Sequence, residues 1–212
     1  MSDLYVTLLT DGSSDAVLLR PLSWLLRQHL RPDVQVQSRW ADLRGLRCRP
    51  RTLADRIKTA LDFYRCDLMF IHRDAEREDA ATRYAEIQRS VAEAQAGCYV
   101  AVVPVRMTEA WLLFDEKAIR RAAGNPKGRD PLPIPSENPE SIPDPKQTLR
   151  QALQSACGLR GRRLHGFNVP LAVHLVGEYI DDFSPLRRLK AFQSLERDVD
   201  AFAALQHLKP AT

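Results

Sequence analysis

Apolar and polar positions along this chain follow two alternating rhythms. Leu4-Tyr5-Val6-Thr7-Leu8-Leu9 is apolar and β-branched, the composition of a strand. It stops at Thr10-Asp11-Gly12-Ser13-Ser14-Asp15, a polar turn with one glycine. Val17, Leu18, Leu22, Leu25, Leu26 and Leu30 then recur at helical spacing, forming one apolar face. Ser14 or Asp15 reads as the cap of that helix, and Pro21 predicts either a first-turn position or a kink. Val34 to Ser38 alternates as a half-exposed strand, and the arginine-rich stretch from Arg39 to Arg51 reads as a loop. Leu53, Ile57, Leu61 and Tyr64 form a second helical stripe. Leu68 to Ile71 is a short, wholly apolar run, as in a strand buried on both faces, and it ends abruptly in His72-Arg73-Asp74-Ala75-Glu76. A helix from Asp79 to Ala96, closed by Gly97, leads to a further buried strand, Tyr99 to Val103.

Past Val105 the strand rhythm stops. Thr108 is placed to cap a short helix anchored by Trp111, Leu112 and Phe114, and Asp115-Glu116 opens another through Ile119 and Ala122. Gly124 to Lys146 is crowded with proline and glycine and predicts a long ordered loop or lid. Gln147 to Ala156 is helical, Gly161-Arg162-Arg163-Leu164 reads as a basic turn, and two helices near Val169–Ile180 and Pro185–Leu205 follow. Strands alternating with helices argue for a mostly parallel sheet flanked by helices, the α/β class. Residues 1–122 make up that α/β domain, with 123–212 as a loop and helical extension packed on it.

Composition narrows the picture modestly. With 212 residues, 44% hydrophobic and 27% charged, the chain is globular rather than disordered. No apolar run approaches the ~18 residues of a membrane helix, and the N-terminus lacks the basic-then-apolar pattern of an export signal. Four scattered cysteines, none in a C-x-x-C pair, read as reduced thiols of a cytoplasmic protein. The net charge is +4, with 25 arginines against 6 lysines. Arginine suits bidentate phosphate contacts, so nucleic acid fits as a partner. Codon bias produces the same excess, so charge decides nothing by itself.

Three acidic segments follow strands of one parallel sheet, whose ends converge on one edge: Asp11 with Asp15, Asp74 with Glu76, and Glu109 with Asp115. Carboxylates clustered this way suit Mg²⁺ or Mn²⁺. Asp15 taken alone reads first as a helix cap, whereas Asp74 and Glu76, directly after a buried strand, read as ligands. His72 beside them is either a ligand or proton shuttle, or the hydrogen-bond partner of a neighbour. Arg73 and Arg106 flank the same edge as phosphate contacts or surface salt bridges. Arg162 and Arg163 grip a nucleic-acid backbone or merely cover a helix end. Trp24, Trp40 and Trp111 read as core or interface. No serine-triad, zinc or Walker pattern is present, and the lone Gly12 turn is not a G-x-G-x-x-G.

Strand–Asp11-Gly12-Ser13-Ser14-Asp15–helix resembles the first motif of Toprim domains, usually Glu-Gly-x-Ser/Thr-Asp, and His72-Arg73-Asp74-Ala75-Glu76 resembles their Asp-x-Asp motif. The segment Glu109-Ala110-Trp111-Leu112-Leu113, with Ala122-Ala123-Gly124-Asn125-Pro126 and Asp144-Pro145-Lys146, resembles the bacterial family DUF4276. That family is regarded as Toprim-like and related to the overcoming-lysogenisation-defect nucleases. The resemblance covers most of the chain. It implies a Toprim fold, metal at Asp74 and Glu76, and Asp11 as ligand or general acid/base. Glu109 would be a further ligand and Lys146 a catalytic phosphate contact. Asp11 stands where Toprim proteins usually have Glu, and Glu76 where they have Asp. Both departures keep charge and alter reach. The implied activity is a Mg²⁺- or Mn²⁺-dependent nuclease acting with a separate ATPase in phage defence or repair. A non-catalytic Toprim-fold regulatory subunit, favoured by the shortened first carboxylate, is the rival. Phosphotransfer on a small nucleotide is a third reading, and self-association stays open.

Overall fold

Which face each apolar residue reaches is set by the two-residue repeat of the strands. In the computed structural model, which describes residues 2–75, 78–134 and 138–208, β1 (Ser2–Leu9) passes through a 3-10 turn (Ser14–Leu18) into α1 (Leu19–His29). β2 (Val34–Trp40), α2 (Leu53–Phe63), β3 (Leu68–His72), α3 (Ala80–Ala94) and β4 (Tyr99–Val102) follow. The sheet has four strands in the order β2-β1-β3-β4, and every pairing is parallel. Val6 lies beside Leu68, Leu9 beside Ile71, and His72 beside Val102. The fold is therefore α/β, an all-parallel sheet flanked by helices, consistent with a Rossmann- or Toprim-like arrangement.

Leu4, Val6, Leu8, Leu68, Phe70, Val100 and Val102 turn to one face; Leu9, Met69, Ile71 and Ala101 turn to the other. The second face is covered by α2 and α3 through Ile57, Ala60, Ile87 and Val91. The first is covered by α1 and by the later helices α4 (Glu116–Ala122), α5 (Pro145–Ala156), α7 (Val169–Tyr179) and α8 (Lys190–Leu205), while the short α6 (Gly161–His165) buries no residue. Leu149, Leu153, Val176, Phe192 and Val199 belong to the same buried cluster as Leu8 and Phe70. Both faces of β3 are covered, which is why its sequence is continuously apolar. β2 is an edge strand and keeps Gln35, Gln37 and Arg39 exposed. Among the described residues no helix is long and apolar enough to cross a membrane.

β1 lies between β2 and β3, and the helices after β1 and β2 cover opposite faces. The connections thus part beyond the carboxyl ends of β1 and β3, leaving the crevice where ligands gather in open α/β sheets. The motifs Asp11–Asp15 and His72–Asp74 both flank it.

Several local expectations are corrected, while those for Pro21 and Trp111 are met. Asp15 lies inside the 3-10 turn and caps nothing, because neither that turn nor α1 has a side-chain cap. Pro21 falls in the first turn of α1, where its missing N–H has no helical partner to lose. Thr108 is not a cap either; Met107 takes the flanking position and Thr108 turns inward. Gln95, at φ 53°, ends α3 before Gly97 is reached. Arg39 and Trp40 extend β2 into the predicted loop. The basic turn is the short helix α6, and the last predicted helix is split into a 3-10 turn (Ser184–Arg188) and α8 by extended Leu189. Trp111 is core, edge-on to Phe192 at 5.4 Å.

Candidate metal centre

β3 delivers His72 to the floor of the crevice, where the residue is 2% exposed. Its Nε2 lies 3.1 Å from Asp74 Oδ1 and 3.1 Å from Thr108 Oγ1. An ionised carboxylate only accepts, so in the pair with Asp74 the imidazole nitrogen carries the proton. Nδ1 is buried and has no hydrogen-bond partner. The nearest carboxylate oxygen to it, Asp15 Oδ2, is 3.9 Å away. Asp15 is held by its own turn, accepting from the Gly12 N–H at 3.3 Å and the Ser14 hydroxyl at 3.4 Å. One donor atom each from Asp15, His72 and Asp74 falls within 4.8 Å of the others.

The electrostatics are those of a centre short of positive charge. Burial pushes the Asp15 carboxyl up, opposed by His72 and reinforced by Asp74. Burial also pushes Glu109 up; Lys146 opposes this, while Asp74 and Asp15 add to it. A buried polar atom without a partner costs roughly 1–3 kcal/mol, and a divalent ion between Asp15 and His72 would remove that deficit. The residues therefore fit a metal. A donor set that includes an imidazole suits Mn²⁺ or a later first-row ion better than Mg²⁺, which takes oxygen ligands.

The remaining sequence-predicted residues divide clearly. Asp74 is in the centre. Asp11 is not: its carboxylate is exposed, held on one oxygen by Arg56 and on the other by Arg73. Arg73 also grips Glu86 at 2.9 Å, so both ends of this expected phosphate contact are engaged by carboxylates. Glu76 lies outside the described residues. Glu109 is buried and feels the charges of Asp15 and Asp74, but stands outside the three-donor group. Arg106 is half-buried with its Nε unpartnered, while Arg162 and Arg163 are exposed on α6.

Lys146 lines a cavity of about 710 Å³ that borders the centre through Ser13, Ser14 and Glu109. No family model matches the chain, and no curated protein or solved structure matches it either. What the centre does must therefore be argued from its own residues.

Sequence reasoning undervalued Asp15, His72 and Thr108, each given a structural role first. The available signal was the spacing. A strand ending in histidine, with a carboxylate two residues on, places both on one side of the crevice. Also passed over was the loop after β2, where Arg44, Arg49 and Arg51, with Arg56 of α2, share a cavity of about 310 Å³ with Asp11 and Gly12. Arg49 and Arg51 are exposed beside the crevice.

Proposed function

We propose that this chain is a divalent-metal-dependent phosphodiester hydrolase acting on nucleic acid, a nuclease of the Toprim type that its motifs resemble. The observation that carries the reading is the buried, unpartnered Nδ1 of His72, facing Asp15 beside Asp74 at the mouth of the sheet. Asp15 and the Nδ1 of His72 would hold the ion, Mn²⁺ by preference, with Asp74 on the other side of the imidazole. When bound, it supplies Lewis-acid stabilisation of charge on a phosphoryl group. Asp74 fixes the His72 tautomer, an outer hydrogen bond of the kind that orients ligating imidazoles. Glu109, whose carboxyl burial keeps protonated to higher pH, serves as the proton donor to the leaving oxygen. Lys146 offsets charge on the substrate phosphate, and the exposed arginines after β2 attract the polymer's backbone. Asp11, the first-motif carboxylate, serves the architecture by tying Arg56 to Arg73.

By the same resemblance, a separate ATPase controls the activity in phage defence or repair. A reducing cytoplasmic setting accords with four free cysteines.

The test is calorimetric titration with Mn²⁺ together with a cleavage assay on single- and double-stranded DNA and RNA. Wild type should bind Mn²⁺ in the micromolar range. Asp15→Asn, His72→Ala and Asp74→Asn should each weaken binding at least tenfold and abolish cleavage. Cleavage unchanged in Asp74→Asn, or no binding at millimolar Mn²⁺, would sink the assignment. Mn²⁺ binding without cleavage of any polymer would favour the second reading, a non-catalytic regulatory subunit. The capture of Asp11 by two arginines is the observation on its side.

A further inference from the structure

The cavity beside the metal centre has two chemically distinct walls. One is polar: Lys146, Gln147 and Arg150 come from the first turns of α5, with Ser13 and Ser14 facing them from the loop after β1. Asp144, exposed at the start of this wall, adds one carboxylate to it. Its carboxylate is occupied as the α5 cap, accepting from the Gln147 N–H at 2.8 Å. Glu109, the other acid in the lining, is buried and shifted toward its neutral form. The wall thus presents two exposed cations, Lys146 and Arg150, against the one carboxylate of Asp144 and the buried Glu109. The rest of the lining is mainly apolar: Phe167 just before α7, Val169, Pro170 and Val173 at its start, and Met107 beside the centre, with the His174 imidazole among them. The apolar character of Phe167, Val169 and Val173 persists although all three are partly exposed.

We infer that this cavity receives one unstacked nucleotide, its phosphate on Lys146 and Arg150 and its base against the Phe167–Val173 wall. The inference rests on the hydrolase reading and narrows its substrate to a strand terminus or a small nucleotide. The volume of about 710 Å³ lies within the roughly 300–1,000 Å³ range of small-molecule sites. Such a cavity takes a nucleotide and has no room for a paired duplex. A phosphate-only site would need no apolar wall, and an apolar ligand would gain nothing from two cations. Aromatic and aliphatic surface is what an unstacked base seeks, without regard to sequence.

The experiment measures binding of deoxyadenosine 5′-monophosphate, deoxyadenosine and inorganic phosphate to the full chain by calorimetry, with and without Mn²⁺. The monophosphate should bind at least tenfold more tightly than either part alone. Arg150→Glu, on the exposed surface of α5, should weaken it tenfold or more and leave deoxyadenosine within twofold. Val173→Trp should fill the base wall, weakening the monophosphate at least tenfold and inorganic phosphate by less than twofold. A 5′-phosphorylated dinucleotide that binds as tightly as the monophosphate marks a strand end as the occupant. Its exclusion marks a free nucleotide, and either outcome supports the cavity. The inference is overturned if the monophosphate binds no better than inorganic phosphate, or if neither substitution changes its affinity. Parallel Mn²⁺ titrations keep the two readings apart. Nucleotide binding without any metal binding leaves the cavity and removes the hydrolase; metal-dependent cleavage with both variants silent does the reverse.

Discussion

Asp15 shows how a single side chain can be expensive for the fold and yet well placed for the candidate centre. Burial raises its carboxyl above the ordinary value of 3.8, with His72 opposing and Asp74 adding to the shift. The folded protein therefore holds this proton more firmly than the unfolded chain does. Stability from this group is fully present below the unfolded value and is lost as pH rises through the folded one. In metal-free protein, Asp15→Asn should raise the melting temperature by a few degrees at pH 7, and the gain should vanish near pH 3.5. Adding Mn²⁺ should invert the order at pH 7, stabilising wild type and not the variant. Thermal denaturation with and without chelator checks all three points. A variant less stable than wild type in chelator at pH 7 would mean that the Asp15 charge is already well paired. None of this was legible in the residues alone. Asp11 and Asp15 are two acids in one turn, and only the tertiary arrival of Arg56 and Arg73 decides which one is neutralised. His72 was visible as a neighbour of Asp74, but tertiary packing alone brings Thr108, 36 residues away, to its Nε2 and leaves its Nδ1 buried without a hydrogen-bond partner.

At the scale of elements, the sequence is a good guide wherever packing and periodicity agree. The strands around Val6, Phe70 and Val100 stand where their apolar content puts them, because each is buried on both faces. Elements failed at their ends, where chemistry is local: Gln95 adopts the left-handed conformation that Gly97 was expected to supply. The approach of α7 to the turn carrying Asp15 was also invisible. Gly177 on α7 lies so close to that turn that an added Cβ would meet Val17 Cγ2 at 2.2 Å. Val17 sits two residues after Asp15 and is stiff at χ1, so it cannot simply rotate away. Gly177→Ala should therefore cost about 1–3 kcal/mol through overpacking, partly offset by the better helix propensity of alanine. It should also weaken Mn²⁺ binding several-fold by displacing the turn. Pairing it with Val17→Ala should restore much of both losses. Urea denaturation and Mn²⁺ titration of the single and double variants measure the coupling. If the two substitutions act additively, α7 does not position the turn.

For the whole molecule, the question is whether residues 1–122 and 123–212 behave as separable units. The sheet face bearing Leu8, Phe70 and Val102 shares one buried cluster with Leu149 and Leu153 of α5, Val176 of α7 and Phe192 of α8. Trp111, 1% exposed, stands between them, edge-on to Phe192 at an interplanar angle of 79°. A chain shortened to residues 2–122 would keep α1 on that face and lose α5, α7 and α8, exposing large aliphatic side chains of the sheet layer. Buried apolar area is worth roughly 25 cal/mol per Å², so uncovering about 400 Å² of it would cost about 10 kcal/mol, comparable with the roughly 5–15 kcal/mol that holds a typical domain together. The full chain should accordingly unfold in one calorimetric transition, with equal van't Hoff and calorimetric enthalpies. Trp111→Ala should lower stability by about 3–5 kcal/mol without splitting that transition. The shortened chain should aggregate, or give no cooperative melt and no near-ultraviolet dichroism. Two resolved transitions in the full chain, or a cooperative melt of residues 2–122, would show instead that the parallel sheet carries its own core. The metal centre would then be a property of the N-terminal unit, and the cavity formed with α5 and α7 a later addition to it.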